Sequence, residues 1–505
     1  MKKILAGLSV LLCLAAEAGG VHLLVDAPAY AGQQVTLYRY MDLFTRRLEP
    51  LAKGMMDAQG QIRLDAEVEG TQKALLLVGG AGADLWLRAG NYHVQLSPPA
   101  PGQPRSLGKA AQADLLFIDL DPLDVNALVG DLNERLDAFL AEGLATDRSA
   151  AMGAIGQARS GGEAIAPDTT GAARSLYIAP TWEGSRVDTF GQKLERFYAG
   201  VQDPWFKADV EYGLAGLRLG PKANNRALYN RYLNGRPVLY DVPEYIRFFS
   251  TFFADHLRRF PFRSHADALL RQVKEGATDS LKALLATNDF LVDDRLNELV
   301  LITNLYAEHA HALLDRNGIL RVLGEVRDRS AYPEHRRIAG NMIWDLTAMG
   351  KGSALPDGAL LDQAGRTLAL DSLLQGPTCL LVARPGNPYS DQELVAMNQL
   401  ARDYAGVVRF LYVILGHTPA ELAAWRKSAP PAGGVWAVPA DQRALLDQWR
   451  ISQAPMVLLL EGRTLSASPG PLPSQGLVSE LHRTRVAAER EQKLNRERGV
   501  PAPKR

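Results

Sequence analysis

The chain has 505 residues, of which 47% are hydrophobic, so it is long enough for several domains with substantial cores. Its 56 Lys and Arg residues balance 56 Asp and Glu residues, which gives a formal net charge of zero. This balance excludes a global field that would attract nucleic acid or an acidic surface, and we expect no nucleic-acid partner.

The N-terminus has the pattern of a secretory signal peptide. Lys2 and Lys3 precede an apolar run over residues 4–16, and small residues at 16 and 18 precede Gly19. We therefore predict a signal peptide over 1–18. The apolar run is shorter than the ~20 residues that span a bilayer, and no later segment is long enough and free of charge. We expect an exported protein, periplasmic or associated with the cell envelope, with no transmembrane segment.

Removal of this signal peptide would leave Cys379 as the single cysteine. A lone thiol forms no intramolecular disulfide, so the mature protein would have no disulfide framework and no dithiol pair. Cys379 lies within an apolar segment that predicts a strand, and we interpret it as a small buried hydrophobic residue.

Residues 22–111 show short runs of alternating apolar residues separated by turn signals. This period-two pattern predicts a β-sandwich domain over 19–112. Residues 57–60 are predicted to form a turn in which Gly60 adopts a positive φ angle.

The period then becomes helical, and we predict an α-helical domain over 113–350. Within it, residues 147–173 are rich in small residues and are predicted to form a long loop. Aromatic residues recur at helical spacing at Tyr245, Phe248, Phe249, Phe252 and Phe253, a pattern that we attribute to a helix buried on a wide face.

From residue 353 onward, strands rich in Leu and Val alternate with amphipathic helices. This order predicts an α/β domain over 351–485 whose mixed sheet is covered on both faces. Residues 486–505 are expected to form a charged tail.

One segment of this domain resembles the strand, redox loop and first helix of the thioredoxin fold. Residues 378–400 read TCLLVARPGNPYSDQELVAMNQL. A comparison anchored on Glu393 and Asn398 places Asn387 and Ser390 where the family has its Cys-x-x-Cys pair. The segment SQAPMVLL at 452–459 is similar to the family's cis-proline segment, with Pro455 as the cis residue.

The whole chain is also similar to a group of exported proteins common among Bacteroidetes. The segments VTLYRYMDLF, RYLNGRPVLYDVPEYIRFF and HRRIAGNMIWDLT carry this similarity. The resemblance implies a multidomain α+β chain with an N-terminal β-sandwich, a middle α-helical domain and a C-terminal thioredoxin-like α/β domain.

The loop with Asn387 and Ser390 at the positions of the family's cysteines argues against thiol chemistry. In active thioredoxins the first cysteine lies at a helix N-terminus, where the dipole favours the thiolate. Asn387 and Ser390 have no sulfur. The sequence therefore predicts a protein without catalytic residues, metal or cofactor, which binds an envelope protein or peptide. The predicted binding residues lie in the loop and on the cis-proline face, namely Asn387, Tyr389, Ser390, Ala454 and Pro455.

Other functions stay open at this point. The chain could be a thiol oxidoreductase or peroxiredoxin-like enzyme that uses Cys379, or a hydrolase assembled from residues of several domains. It could also bind a ligand through its β and helical domains.

Overall fold

In the described part of the chain, strands are followed by helices, and strands then alternate with helices, so that the protein is a mixed α/β protein. The computed structural model describes residues 18–98, 107, 110–160, 184–220, 223–259, 265–428 and 433–497. The predicted signal peptide lies outside the described residues except for Ala18, with which the first strand begins.

The N-terminal strands form two sheets with strand orders β4-β1-β7-β9 and β3-β2-β5-β6-β8. Both sheets contribute buried side chains to one apolar core, as the alternating pattern predicts. In chain order the strands are β1 (Ala18–Asp26), β2 (Gln34–Tyr40), β3 (Leu48–Met55), β4 (Gln61–Glu69), β5 (Gln72–Val78), β6 (Ala81–Leu87), β7 (Gly90–Leu96), β8 (Ala111–Gln112) and β9 (Leu115–Phe117).

The predicted turn between β3 and β4 is confirmed. Gly60 has φ +78°, and a Cβ atom at this position would lie 2.5 Å from the Cα atom of Pro28. Asp57 Oδ1 accepts hydrogen bonds from the amides of Gln59 and Gln61. Glycine is therefore required both for the backbone angle and for the close approach of another backbone segment.

The middle of the chain is helical. Its helices are α1 (Val125–Ser160), α2 (Gly184–Phe197), α3 (Pro204–Leu217), α4 (Asn225–Tyr232), α5 (Pro243–Phe252), α6 (His256–Arg259), α7 (Ala266–Glu275), α8 (Thr278–Leu285), α9 (Asp294–Glu308), α10 (Arg316–Arg329) and α11 (Pro333–Thr347). The aromatic residues Tyr245, Phe248 and Phe249 of α5 are buried, which confirms their assignment to the core.

The loop predicted from residue 147 is wrong over its first part, because α1 continues to Ser160. The segment over 147–160 contains several alanines, which favour a helix even without large apolar side chains. Residues 161–173 of the predicted loop lie outside the described part of the chain.

The C-terminal region forms a sheet with strand order β11-β10-β14-β13-β12-β15-β16. Its elements are β10 (Leu360–Leu361), β11 (Thr367–Leu368), α12 (Leu370–Leu373), β12 (Pro377–Ala383), α13 (Pro388–Asp403), β13 (Arg409–Ile414), α14 (Pro419–Ser428), β14 (Val435–Pro439), α15 (Gln442–Gln448), β15 (Met456–Glu461), β16 (Thr464–Gly470) and α16 (Leu477–Glu497). The central strand β12 pairs in parallel with β13 and antiparallel with β15, the arrangement of the thioredoxin fold.

Helices cover both faces of this sheet. Along β12, Leu380 and Val382 point into a core shared with α15, while Cys379 and Leu381 point into a second core shared with α13 and α16. A strand buried on both faces must be apolar throughout, which is the pattern that predicted this layer arrangement.

The charged tail predicted from residue 486 begins later than expected, because α16 continues to Glu497. Leu477 and Leu481 anchor the first turns of this helix in the core, and good helix formers such as Ala, Glu, Gln and Arg extend it beyond the core. Residues 498–505 lie outside the described part of the chain.

Residue contacts group the chain into two units, one of residues 1–99 and 112–342 and the other of residues 100–111 and 343–505. The first unit therefore contains both the N-terminal sheets and most of the helical region. Polar contacts join them: Asn341 of α11 donates to Asp42 at 2.7 Å, and Asn126 of α1 accepts from the Trp86 amide at 2.7 Å. The predicted domain boundaries stay a prediction. None of the described helices is long and apolar enough to cross a membrane.

Candidate functional site

The predicted binding residues are placed by the two strands that they adjoin. The loop over 384–387 follows the carboxyl end of β12, and the Ala454–Pro455 bond immediately precedes β15. Val382 of β12 pairs with Met456 of β15, so the sheet register brings the loop and the proline to the same end of the sheet. The Ala454–Pro455 bond is cis, as the resemblance to the thioredoxin family implies. Carboxyl ends of parallel strands are a common location of binding sites in α/β folds.

Asn387 is the N-cap of α13. Its side-chain Oδ1 accepts hydrogen bonds from the amides of Tyr389 at 3.0 Å and Ser390 at 3.4 Å. Pro388 occupies the first helical position, where the missing amide hydrogen costs no hydrogen bond. The cap therefore satisfies two of the amides that have no acceptor within the first turn of α13.

Ser390 is fully buried at the first turn of α13. Its Oγ accepts a hydrogen bond from the amide of Arg384 at 3.2 Å and so closes the loop on itself. A second hydrogen bond joins the loop to α13, because Oδ1 of Asp391 accepts from the amide of Gly386 at 3.1 Å. Gly386 has φ +83°, a conformation that glycine adopts without strain.

Tyr389 is the exposed member of the predicted set, with 77% of its surface accessible. An aromatic side chain this exposed contributes little to the core, although it offers a large contact area with few rotatable bonds. Ala454 and Pro455 are half-buried.

Cys379 lies in the interior of β12, far from solvent. Its side chain is 1% exposed, and its Sγ atom lies 3.9 Å from Sδ of Met397. Burial raises the pKa of the Cys379 thiol well above its ordinary value. A thiol that stays protonated and inaccessible is a poor nucleophile, so the position favours a packing role.

Arg384 is a residue of this site that the sequence analysis did not single out. It follows β12 directly and is exposed. A Cβ atom built on Gly416, which follows β13, would lie 3.6 Å from Nε of Arg384, so the arginine lies across the ends of two parallel strands. A charged residue directly after a buried parallel strand is a signal that could have identified it.

Glu393, in the second turn of α13, connects this helix to the segment around Ser474. It is buried and accepts hydrogen bonds from the amide of Ser474, at 3.1 Å, and from the Ser474 hydroxyl. His417, also near this end of the sheet, is half-buried, and its Nδ1 lies 3.3 Å from the Leu415 carbonyl oxygen. Within the described ranges, no group of three or more His, Cys, Asp or Glu residues is arranged to hold a metal ion.

No protein-family model and no curated protein sequence matches the chain. Solved structures of thioredoxin-like proteins are similar to part of the chain. A proposed thiol-disulfide oxidoreductase from Bacteroides vulgatus is 20% identical, covers 27% of this chain and 96% of its own, and has a TM-score of 0.25. A thioredoxin-like protein from Bacteroides caccae is 12% identical, covers 63% of this chain and 99% of its own, and has a TM-score of 0.28. An exposed lipoprotein thioredoxin from Streptococcus pneumoniae is 17% identical, covers 25% of this chain and 99% of its own, and has a TM-score of 0.23.

At these identities and TM-scores the similarities carry no argument about activity. The assignment of the C-terminal region to the thioredoxin fold depends on its own strand order and directions.

Proposed function

We propose that the chain is an exported protein of the bacterial cell envelope whose thioredoxin-like domain binds a peptide segment of a partner without redox catalysis. One observation supports this proposal: both polar side chains that the sequence comparison aligns with the family's cysteines accept hydrogen bonds that hold the loop. Asn387 caps α13, and Ser390 binds the Arg384 amide. The loop is thus held rigidly although it has no thiol.

The binding surface would consist of Tyr389 on one side and the Ala454–Pro455 face on the other. A rigid loop loses little conformational entropy when a ligand binds, which favours recognition. An extended peptide could add backbone hydrogen bonds beside the cis-proline segment, while Tyr389 packs against one of its side chains. Export is supported by the signal-peptide pattern over 1–18.

The alternative of an enzyme that uses Cys379 requires a reactive thiolate. Burial of Cys379 and the raised pKa of its thiol count against such a role. The mature protein is therefore expected to reduce insulin disulfides, or to consume peroxide, no faster than its Cys379→Ala variant. An active thioredoxin assayed in parallel provides the positive control. Turnover that disappears in Cys379→Ala would overturn the redox-inactive proposal.

Peptide binding is tested with Tyr389→Ala. We expect this variant to lose about five- to tenfold in affinity for peptides selected on the mature wild-type protein from a random peptide library, because an exposed aromatic anchor is typical of binding hot spots. The matched control is Val395→Ala, which removes a side chain of α13 that is 63% exposed and lies farther along the helix. Binding is measured by fluorescence anisotropy.

A second variant, Ser390→Arg, places a long charged side chain where a buried hydroxyl now holds the loop. Because an unpaired buried charge is costly, this variant should open the loop and abolish binding, and circular dichroism measures how much of the fold remains. If peptides bind Tyr389→Ala and Ser390→Arg as well as the wild-type protein, the proposed surface is wrong.

A further inference from the structure

The binding loop contains a single cation, Arg384, within the segment RPGNPYSD at 384–391. Its backbone amide and carbonyl take part in the loop, since the amide donates to Ser390 Oγ and the carbonyl accepts from the Asn387 amide at 3.2 Å. Its guanidinium, in contrast, is exposed. Among the described residues, no carboxylate lies within 4.0 Å of the guanidinium nitrogens.

The backbone amides of the loop that could bind an anion already have acceptors. The amides of Tyr389 and Ser390 donate to Oδ1 of Asn387, and the amide of Gly386 donates to Oδ1 of Asp391. The N-terminus of α13 therefore has few free donors for an anion, even though the helix dipole points in the right direction. Recognition of a negative charge at this end of the sheet falls to Arg384.

The neighbouring ionisable groups His417, Glu421 and Asp391 do not pair with the Arg384 guanidinium. His417 follows β13 close by. Hydrogen bonds from the amide and the hydroxyl of Thr418 lower the pKa of Glu421. Glu421 itself is held by Thr418, at 2.8 Å from the amide and 2.9 Å from the hydroxyl. Asp391, the acidic residue of the loop, is engaged with Gly386.

Arg384 lies at the proposed peptide site. By the register of β12 and β15, Val382 lies opposite Met456, so that two residues farther on Arg384 approaches the level of Ala454. Its contact position at Gly416 places it on the β13 side of the loop, while Tyr389 extends from the first turn of α13. A peptide lying along the cis-proline segment would pass both side chains.

We infer that the partner segment is acidic: an extended peptide that presents a Glu or Asp carboxylate to Arg384 and an apolar side chain to Tyr389. This inference rests on the proposed function and names its ligand class. Arginine suits the role because its planar fork can donate two parallel hydrogen bonds to one carboxylate. An exposed pair of this kind adds specificity more than affinity.

The test uses two pools of short random peptides on the mature full-length protein. The pools are identical except that the central residue is Glu in one and Gln in the other, which changes the charge and keeps the size. We expect the wild-type protein to retain the Glu pool about two- to fivefold better than the Gln pool. This preference should shrink as salt is added, because exposed charges are screened.

Arg384→Gln should bind both pools equally, at the level at which the wild-type protein binds the Gln pool. The matched control is Arg402→Gln, which removes an exposed arginine at the far end of α13 and should keep the preference. Tyr389→Ala should weaken both pools in equal proportion. Equal retention of the two pools by the wild-type protein, or a preference that survives Arg384→Gln, overturns the acidic-peptide inference and leaves peptide binding itself standing. Retention of neither pool overturns both.

Discussion

Replacement of Glu298 by alanine is expected to lower the free energy of unfolding of the helical region by about 3–5 kcal/mol. Glu298 lies on α9 and is 4% exposed. Its carboxylate accepts from the Ser330 hydroxyl, from Nδ1 of His335 at 2.8 Å and from Nζ of Lys282 at 3.1 Å. Four helices or helix ends thus meet at one buried carboxylate. Its removal leaves the Ser330 hydroxyl and Nδ1 of His335 without this acceptor, while Lys282 keeps its contact with Asp294.

The hydrogen bonds continue beyond this carboxylate. Nε2 of His335 lies 2.7 Å from the Tyr240 hydroxyl, which in turn accepts from Nε of Arg295 at 3.0 Å. Because an ionised carboxylate only accepts hydrogen bonds, Nδ1 of His335 carries the proton toward Glu298. The network therefore holds the segment around Tyr240 against α9 and α11. Loss of the Glu298 carboxylate should destabilise several of these elements together.

Because of the same carboxylate, we expect the stability of the protein to fall at low pH. Burial by itself raises the pKa of Glu298, but hydrogen bonds from His335, Ser330 and Lys282 outweigh it and lower the pKa to about 2. Because the folded-state pKa lies below the ordinary value of 4.5, the stabilisation is fully present above about pH 4.5 and is lost as the pH falls toward 2.

The control for Glu298→Ala is Asp294→Ala. Asp294 also contacts Lys282, at 2.8 Å, but its side chain is 60% exposed. An exposed ion pair contributes less than about 1 kcal/mol, so this variant should change stability little. Urea unfolding followed by far-ultraviolet circular dichroism measures both variants. Equal losses for the two, or a loss below about 1 kcal/mol for Glu298→Ala, would contradict the assignment of a stabilising network.

Replacement of Asp209 by asparagine is expected to stabilise the protein at pH 8 relative to the wild-type chain, and by much less at pH 5. Asp209 lies on α3, is 4% exposed, and accepts a long hydrogen bond of 3.4 Å from the Glu244 amide. Burial, with the nearby charge of Glu244 as a second cause, raises the pKa of Asp209 to about 7. Ionisation of this carboxyl in the folded state is therefore costly.

The direction of this pH dependence of stability follows from how tightly each state binds the Asp209 proton. The folded state holds the Asp209 proton more tightly than the unfolded state, whose pKa is 3.8. The corresponding stability is present below about pH 4 and is lost as the pH rises to about 7. Each pKa unit corresponds to about 1.4 kcal/mol, so the stability difference between Asp209→Asn and the wild-type protein should grow by roughly 3 kcal/mol between pH 5 and pH 8.

Comparison of variant with wild type at each pH cancels the other titrating groups. Among them is His256, whose burial lowers its pKa to about 4, so that it acts in the opposite direction below pH 6.5. Glu211→Gln is the matched control, since Glu211 lies on the same helix and its partly exposed side chain pairs with Arg236 at 2.6 Å. A constant difference between Asp209→Asn and the wild-type protein across this pH range would show that Asp209 does not carry the predicted dependence.

Local patterns in the sequence predicted several features of the thioredoxin-like domain correctly. The cis bond before Pro455 is the one that the resemblance of residues 452–459 to the thioredoxin family implies. The buried position of Cys379 follows from its place in an apolar run. These features depend on a few adjacent residues, and for this reason a single sequence is sufficient to predict them.

Other features depend on residues that are distant in the chain. Glu298 meets His335 and Lys282 only because α8, α9 and α11 pack together, and no spacing in the sequence indicates that Asp209 is buried beside Glu244. The position of Arg384 next to Gly416 likewise results from the pairing of β12 with β13.

The sequence by itself determined the order of strands and helices, the absence of a Cys-x-x-Cys pair and the residues available at the loop, because hydrophobic period and residue chemistry are properties of short segments. Only the tertiary structure decided which polar groups are buried, which of them share hydrogen bonds and which cation is left exposed at the loop. Burial and hydrogen bonding are set by packing between elements far apart in sequence, and the free energy of a charge depends on that environment far more than on its neighbours in the chain.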